Sequence, residues 1–200
     1  AEPLSGGLFG GKWCSYAETM DLLSDQRLED GGALIFDAPP LAADFDMLGA
    51  AEVELELSSD RPVAMVAVRL SDIAPDGRAT RVTYGVLNLT HRDSHENSTP
   101  LEPGRRYRVQ LHLNEIAQRF CKGHRIRLAI SSSYWPLAWP SPEPVHLTLY
   151  PATCRLRLPP RPPSSDDEHL RDLGYPRMAP IPRHTLLAPA KREWRVIYNL

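Results

Sequence analysis

Between Ala33 and Leu158 apolar residues recur at every second position, the period of strands that lie half against a core and half in water. Val53, Leu55 and Leu57 alternate with Glu52, Glu54 and Glu56. Tyr107, Val109, Leu111 and Leu113 alternate with Arg106, Arg108, Gln110 and His112. Two further alternating segments bracket the stretch from Gly123 to Tyr150. In the first, Ile126, Leu128 and Ile130 oppose Arg125 and Arg127; in the second, Val145, Leu147 and Leu149 oppose His146, Thr148 and Tyr150. A short apolar run, Ala33 to Phe36, precedes them all, and Cys154, Leu156 and Leu158 alternate with Arg155 and Arg157 in the last. Val63 to Leu70 breaks the pattern instructively. Met65 and Ala67 on one side and Val66 and Val68 on the other are all apolar, which predicts a central strand covered on both faces.

The punctuation agrees with strands. Pro75-Asp76-Gly77 predicts a hairpin turn with a return arm over Thr80 to Tyr84, a kink or bulge at Gly85, and a continuation over Val86 to Thr90. Pro100 to Gly104 marks another turn. Asn114 to Phe120 loses the alternation and reads as one helical turn. Short strands divided by glycine and proline turns, with no crossover helices, predict an all-β fold, an antiparallel β-sandwich. The sandwich is expected over residues 33–158. Residues 1–32 read as an irregular connector; Leu8, Trp13 and Tyr16 imply that it lies against something, either its own domain or a neighbour missing from the chain. Residues 159–200 form a Pro-rich extension. Its alternating Glu193 to Tyr198 reads as a strand of a truncated further element, or one that pairs back on the sandwich.

Composition narrows the partners. The 200 residues carry 42% hydrophobic and 24% charged side chains and a net charge of -2, without the basic excess that a phosphate backbone requires, so no nucleic acid is expected. No apolar run approaches the roughly 20 residues of a membrane helix, and no signal pattern opens the chain, so no membrane partner is expected. Cys14, Cys121 and Cys154 are odd in number and widely spaced, which predicts reduced, mostly buried thiols and a cytoplasmic protein.

Candidate chemistry is sparse. The strand-to-helix nucleophile elbow Gly-x-Ser-x-Gly is missing. Ser131 to Ser133 lie near His124 in sequence, but six or seven residues of strand span ~20 Å, too far for that histidine to activate them. His91, Asp93 and His95 share a spacing usable by a metal, yet a solvated connection with local turn hydrogen bonds explains them better; neither metal nor cofactor is expected, and no catalytic residue is assigned. The loop between the bracketing strands is more distinctive. Tyr134, Trp135 and Trp139 lie among Pro136, Pro140, Pro142 and Pro144, which forbid a helix and stiffen the loop. Three roles stay open for these aromatics: filling the end of the core, docking on another domain, or stacking on a sugar ring as in a free-standing carbohydrate-binding module.

Several segments in order carry a family resemblance: Leu34-Ile35-Phe36-Asp37, Leu57-Ser58-Ser59-Asp60, Val68-Arg69-Leu70-Ser71-Asp72 before Pro75-Asp76-Gly77-Arg78, Gly85-Val86-Leu87-Asn88, His91-Arg92-Asp93-Ser94, Leu101-Glu102-Pro103-Gly104, and Gly123 to Leu128 with Ile130 to Ser133. Together they resemble the C-terminal domain of the cocaine esterase and X-prolyl dipeptidyl peptidase (CocE/NonD) family of serine hydrolases. The resemblance implies a jelly roll of the galactose-binding-like type. It also implies a non-catalytic accessory role: packing on an α/β-hydrolase domain of the same parent chain, shaping its cleft, and in some members supporting a homodimer. The parent would be a dipeptidyl-peptidase or carboxylic ester hydrolase whose triad lies outside this chain. Trp13, Tyr16, Tyr134, Trp135 and Trp139 are the expected interface or ligand contacts.

Overall fold

A computed structural model describes residues 6–11, 23, 25–169, 171 and 174. Strand β1 runs over Leu34–Asp37, β2 over Phe45–Gly49, β3 over Glu52–Ser59, β4 over Met65–Ile73 and β5 over Ala79–Asn88. They are followed by β6 (Tyr107–His112), β7 (Ile116–Phe120), β8 (Arg125–Ser131), β9 (Leu147–Leu149) and β10 (Arg155–Arg157). A single turn of α-helix, α1, spans Arg27–Asp30. The first sheet has the order β1-β8-β4-β5; the second has β10-β3-β6 with β9 also on β3; β2 and β7 form a separate pair. Every pairing is antiparallel, and the two larger sheets enclose one apolar core, so the expected antiparallel sandwich is present.

The core follows the period of two. Val53, Leu55 and Leu57 of β3 and Val109 and Leu111 of β6 face Val66, Val68 and Leu70 of β4 and Ile126, Leu128 and Ile130 of β8. Strand β4 lies between β8 and β5 and is buried on both faces, as its apolar run requires. The bracketing strands β8 and β9 belong to opposite sheets, so the proline-stiffened loop crosses from one layer to the other while both ends feed one core. Pairing in β9 is confined to Leu147–Leu149, although Val145 packs on the core too.

Three expectations are corrected. Asn114 to Phe120 is no helical turn: Ile116–Phe120 pairs with Phe45–Gly49, a strand that the pattern had hidden. The bulge in the β4–β5 hairpin lies at Val82, where the register moves from Leu70↔Thr83 to Ser71↔Arg81; Gly85 is paired regularly with Val68. Glycine is needed there for space, because a Cβ would lie 3.0 Å from both the His112 carbonyl oxygen and a Leu113 methyl. The two described thiols are less buried than expected, with Cys121 exposed and Cys154 half-buried; Cys14 lies outside the described residues. The turn over Pro75 to Gly77 is as predicted, closed by Gly77 N to Ala74 O at 2.8 Å and Ala74 N to Arg78 O at 3.0 Å.

The chain divides into two compact units, residues 1–161 and 162–200. In the first, Leu48 N donates to Pro159 O and Arg161 N to Asp46 O, extending the β2–β7 pair along the chain. In the second, a 3-10 turn over Ser165–His169 begins where Ser164 Oγ accepts from Asp166 N and Asp167 Oδ2 accepts from Ser164 N. The strand expected over Glu193 to Tyr198 lies outside the described residues.

Candidate docking surface

Strand alternation places Met65, Ala67, Arg69 and Ser71 of β4 on the side of the first sheet away from the core, yet none is more than 6% exposed. Short segments outside the sheets lie over this side: α1 with Gln26 before it, and the loop that follows β8, on both of which the segment 6–11 rests in turn. A buried guanidinium in such a place must be compensated, because an unpaired interior charge costs several kcal/mol. Arg69 Nη1 donates to Gln26 Oε1 at 3.2 Å, and Nη2 to Asp30 Oδ1 at 3.2 Å, with Glu29 Oε2 a further 3.7 Å from Nη1. Arg127 of β8 extends the network. Its Nη1 donates to Asp30 Oδ2 at 2.8 Å, while Nε and Nη2 make a bidentate pair with Asp37 at 2.7 and 2.8 Å. The hydrogen bonds from Arg127 hold the Asp37 carboxyl below its ordinary value, and the same pair raises Arg127. None of Gln26, Glu29, Asp30, Arg69 or Arg127 was singled out from the sequence. The available signal was Arg69 itself, on the same side of an apolar strand as Met65 and Ala67.

The aromatic loop continues this surface and separates three residues that the sequence had grouped. Tyr134 is 1% exposed and packs on Met65 and Ala67, its ring centroid 5.3 Å from that of Tyr84. The Arg81 guanidinium lies 4.5 Å from the Tyr84 ring centroid and donates through Nη1 to the Tyr134 hydroxyl. Burial pushes the Tyr134 phenol above its ordinary value, opposed by Arg81. Tyr134 therefore fills a second, smaller apolar cluster on the outer side of the first sheet. Trp135 is half-buried and Trp139 is 80% exposed; their rings meet edge to face at 5.0 Å. Those two indoles form an apolar corner open to solvent, against a background of Pro136, which follows a cis peptide bond, Pro140 and Pro142. Trp13 and Tyr16 lie outside the described residues.

The other candidates are engaged locally. His124 Nδ1 lies 2.9 and 3.0 Å from the two Asp72 carboxylate oxygens, and Ser131 Oγ donates to Ser133 O. His91 Nδ1 meets Ser94 O at 3.1 Å, Asp93 pairs with Arg92, and Ser94 Oγ accepts from Glu96 N and Asn97 N, the turn hydrogen bonds expected of that connection. Among the described residues no three His, Cys, Asp or Glu side chains are gathered as a metal site. An apolar cavity of about 270 Å³ opens between the sheets, lined by Phe36, Leu55, Leu128, Leu149 and Leu156 with Asp37 and Arg155 among its other walls. No described helix is long and apolar enough to cross a membrane.

Comparison with known proteins decides the family. The profile of the X-Pro dipeptidyl-peptidase C-terminal non-catalytic domain matches residues 1–197. The chain belongs to that family. The cocaine esterase of Rhodococcus sp. (strain MB1 Bresler) is 29% identical over 103 residues, covering 52% of this chain and 18% of the esterase. A solved α-amino acid ester hydrolase superposes with a TM-score of 0.63 at 24% identity, covering 72% of this chain and 28% of the hydrolase. An aminopeptidase from a marine sediment Thaumarchaeota archaeon gives 0.62 at 18% identity, over 72% and 29%. At those identities the structures establish the fold. The chain spans under a fifth of the length of the esterase, so it corresponds to one domain of such a hydrolase. The family's description as non-catalytic accords with the absence of an elbow motif from the sequence.

Proposed function

We propose that the chain is the accessory sandwich of a larger serine hydrolase, packing on its α/β-hydrolase domain and shaping the cleft in which that domain cleaves an ester or an X-Pro amide through an acyl-enzyme. The observation that carries this reading is the match to a non-catalytic hydrolase domain along residues 1–197. The Trp135 and Trp139 corner supplies the contact: an indole 80% exposed beside a second indole is the kind of apolar anchor that interfaces bury. The opposite side of the sandwich is a ladder of paired charges, a poor surface to desiccate.

In the full-length polypeptide, Trp139→Ala is expected to raise KM for the acyl substrate several-fold and lower Tm by several degrees. The same substitution in the 200-residue chain is expected to leave Tm unchanged. Unchanged KM and Tm in the full-length variant would overturn docking through this corner. The exposure of Trp139 also favours a second reading, a carbohydrate platform; saturable quenching of tryptophan fluorescence by a glycan, abolished by Trp139→Ala, would replace docking with sugar binding. A second copy of the parent is the further partner proposed, and sedimentation across a range of concentrations tests it.

A further inference from the structure

The segment Gly6 to Gly11 is held in a way that exceeds what a simple connector needs. Both oxygens of the buried Glu29 carboxylate are used on its backbone: Gly7 N donates to Oε2 at 2.6 Å and Phe9 N to Oε1 at 2.5 Å. Gln26 Nε2 donates to Phe9 O at 2.8 Å, so Phe9 is gripped at both its amide and its carbonyl, and Gly10 N closes the turn on Gly7 O at 2.9 Å. Shape adds to this. Gly7 has φ +110°, and a Cβ there would lie 2.4 Å from the Trp135 carbonyl oxygen and 2.8 Å from the Tyr134 carbonyl carbon. At Gly10 a Cβ would lie 3.1 Å from the Tyr134 hydroxyl.

We propose that Glu29, Gln26 and the Tyr134-Trp135 backbone form a receptor for a Gly-x-x-Gly strap, Gly7 to Gly10, and that the seated strap fixes the position of the Trp135 and Trp139 corner. This rests on the docking reading only for its purpose, since a strap preceding the sandwich would then couple the path of the incoming polypeptide to the aromatic contact. The mechanism is short-range. A carboxylate accepting two amides two residues apart admits one register of the strap, and the backbone of Trp135 lies directly on the glycine that this register places beneath it. A strap shifted by one residue puts either Leu8 against the Trp135 carbonyl or, in the other direction, Phe9 in the place of Gly10 against the Tyr134 hydroxyl, and either the strap or the loop must leave.

Amide exchange on the 200-residue chain tests this. In the wild type the Gly7 and Phe9 amides are expected to be protected. Gly7→Ala, which removes no charge, is expected to speed exchange at Phe9 by about 30-fold and also to speed exchange at Ala138, whose amide bonds Tyr134 O, while Val68 in β4 keeps its rate. Glu29→Gln, which turns one acceptor into a donor, is expected to release Phe9 similarly; if it also releases Val68 it has unfolded the sandwich, and Gly7→Ala decides. An unprotected Phe9 amide in the wild type, or a Gly7→Ala chain with Phe9 and Ala138 within about twofold of wild type, would overturn the strap. No second domain takes part in the measurement, so failure here leaves the docking reading standing, and failure of docking in the full-length protein leaves the strap.

Discussion

The two outer faces of the sandwich are built from the same kinds of residue and treat them oppositely. On the second sheet, Glu52, Glu54 and Glu56 of β3 run between Arg155 and Arg157 of β10 and Arg108, Gln110 and His112 of β6. Arg157 reaches Glu54 at 2.6 Å and Glu52 at 3.4 Å, and the side chain of Arg108 is 82% exposed. Water reaches Glu52, Glu54, Arg108 and Arg157, so their pairs need not be satisfied by protein; Glu56, 15% exposed, takes a hydrogen bond from Thr153 Oγ1 at 2.6 Å. On the first sheet the side chain of Arg69 is 2% exposed and its partners Glu29 and Asp30 are 1% and 6% exposed. There each charge depends on the others. An alternating strand with charges on one side thus describes a wet face only when nothing else in the chain lies over it, and what lies over it here is short irregular structure that period alone does not predict.

The difference is quantifiable. Arg69→Leu is expected to have the largest effect, about 3–5 kcal/mol of lost stability in urea unfolding, because it removes the guanidinium on which the buried Glu29 and Asp30 carboxylates converge. A loss under about 1 kcal/mol would mean that the face is solvated after all. Tyr134→Phe removes the phenol that Arg81 bonds while keeping the ring on Met65 and Ala67, and is expected to cost about 1 kcal/mol. Next comes pH. Arg127 depresses the folded-state pKa of Asp37 below its ordinary 3.8, so the ionised carboxylate favours the fold; this contribution is complete above the unfolded value and is lost as pH falls through the folded one. Asp37→Asn should therefore flatten part of the acid limb of the stability curve below about pH 4. Arg157→Ala, on the wet face, should have the smallest effect, leaving the urea midpoint close to that of the wild type, with any difference shrinking in high salt.

Much of the sandwich was legible because burial on one side of a strand leaves a period of two. The double-sided run Met65 to Val68 even identified the central strand. Where the structure departs, the reason is a residue on an unexpected side. In β7 the inward positions are Ile116, Gln118 and Phe120, and the half-buried Gln118 erased the contrast with Ala117 and Arg119. In β2, Met47 is buried while Leu48 is half exposed, so apolar residues occupy both sides. The aromatic loop was legible as a feature and ambiguous in role: Tyr134, Trp135 and Trp139 are nearly adjacent, yet they run from fully buried to nearly free. The buried network was harder still, since Glu29 and Asp30 sit in a polar stretch indistinguishable by composition from a solvated connector.

Catalysis by the sandwich alone is what the proposed accessory role forbids. Its most direct test is the hydrolysis of p-nitrophenyl acetate by the purified 200-residue chain: no rate above buffer at any substrate concentration is predicted, whereas saturable turnover abolished by Ser132→Ala or His124→Ala would contradict it.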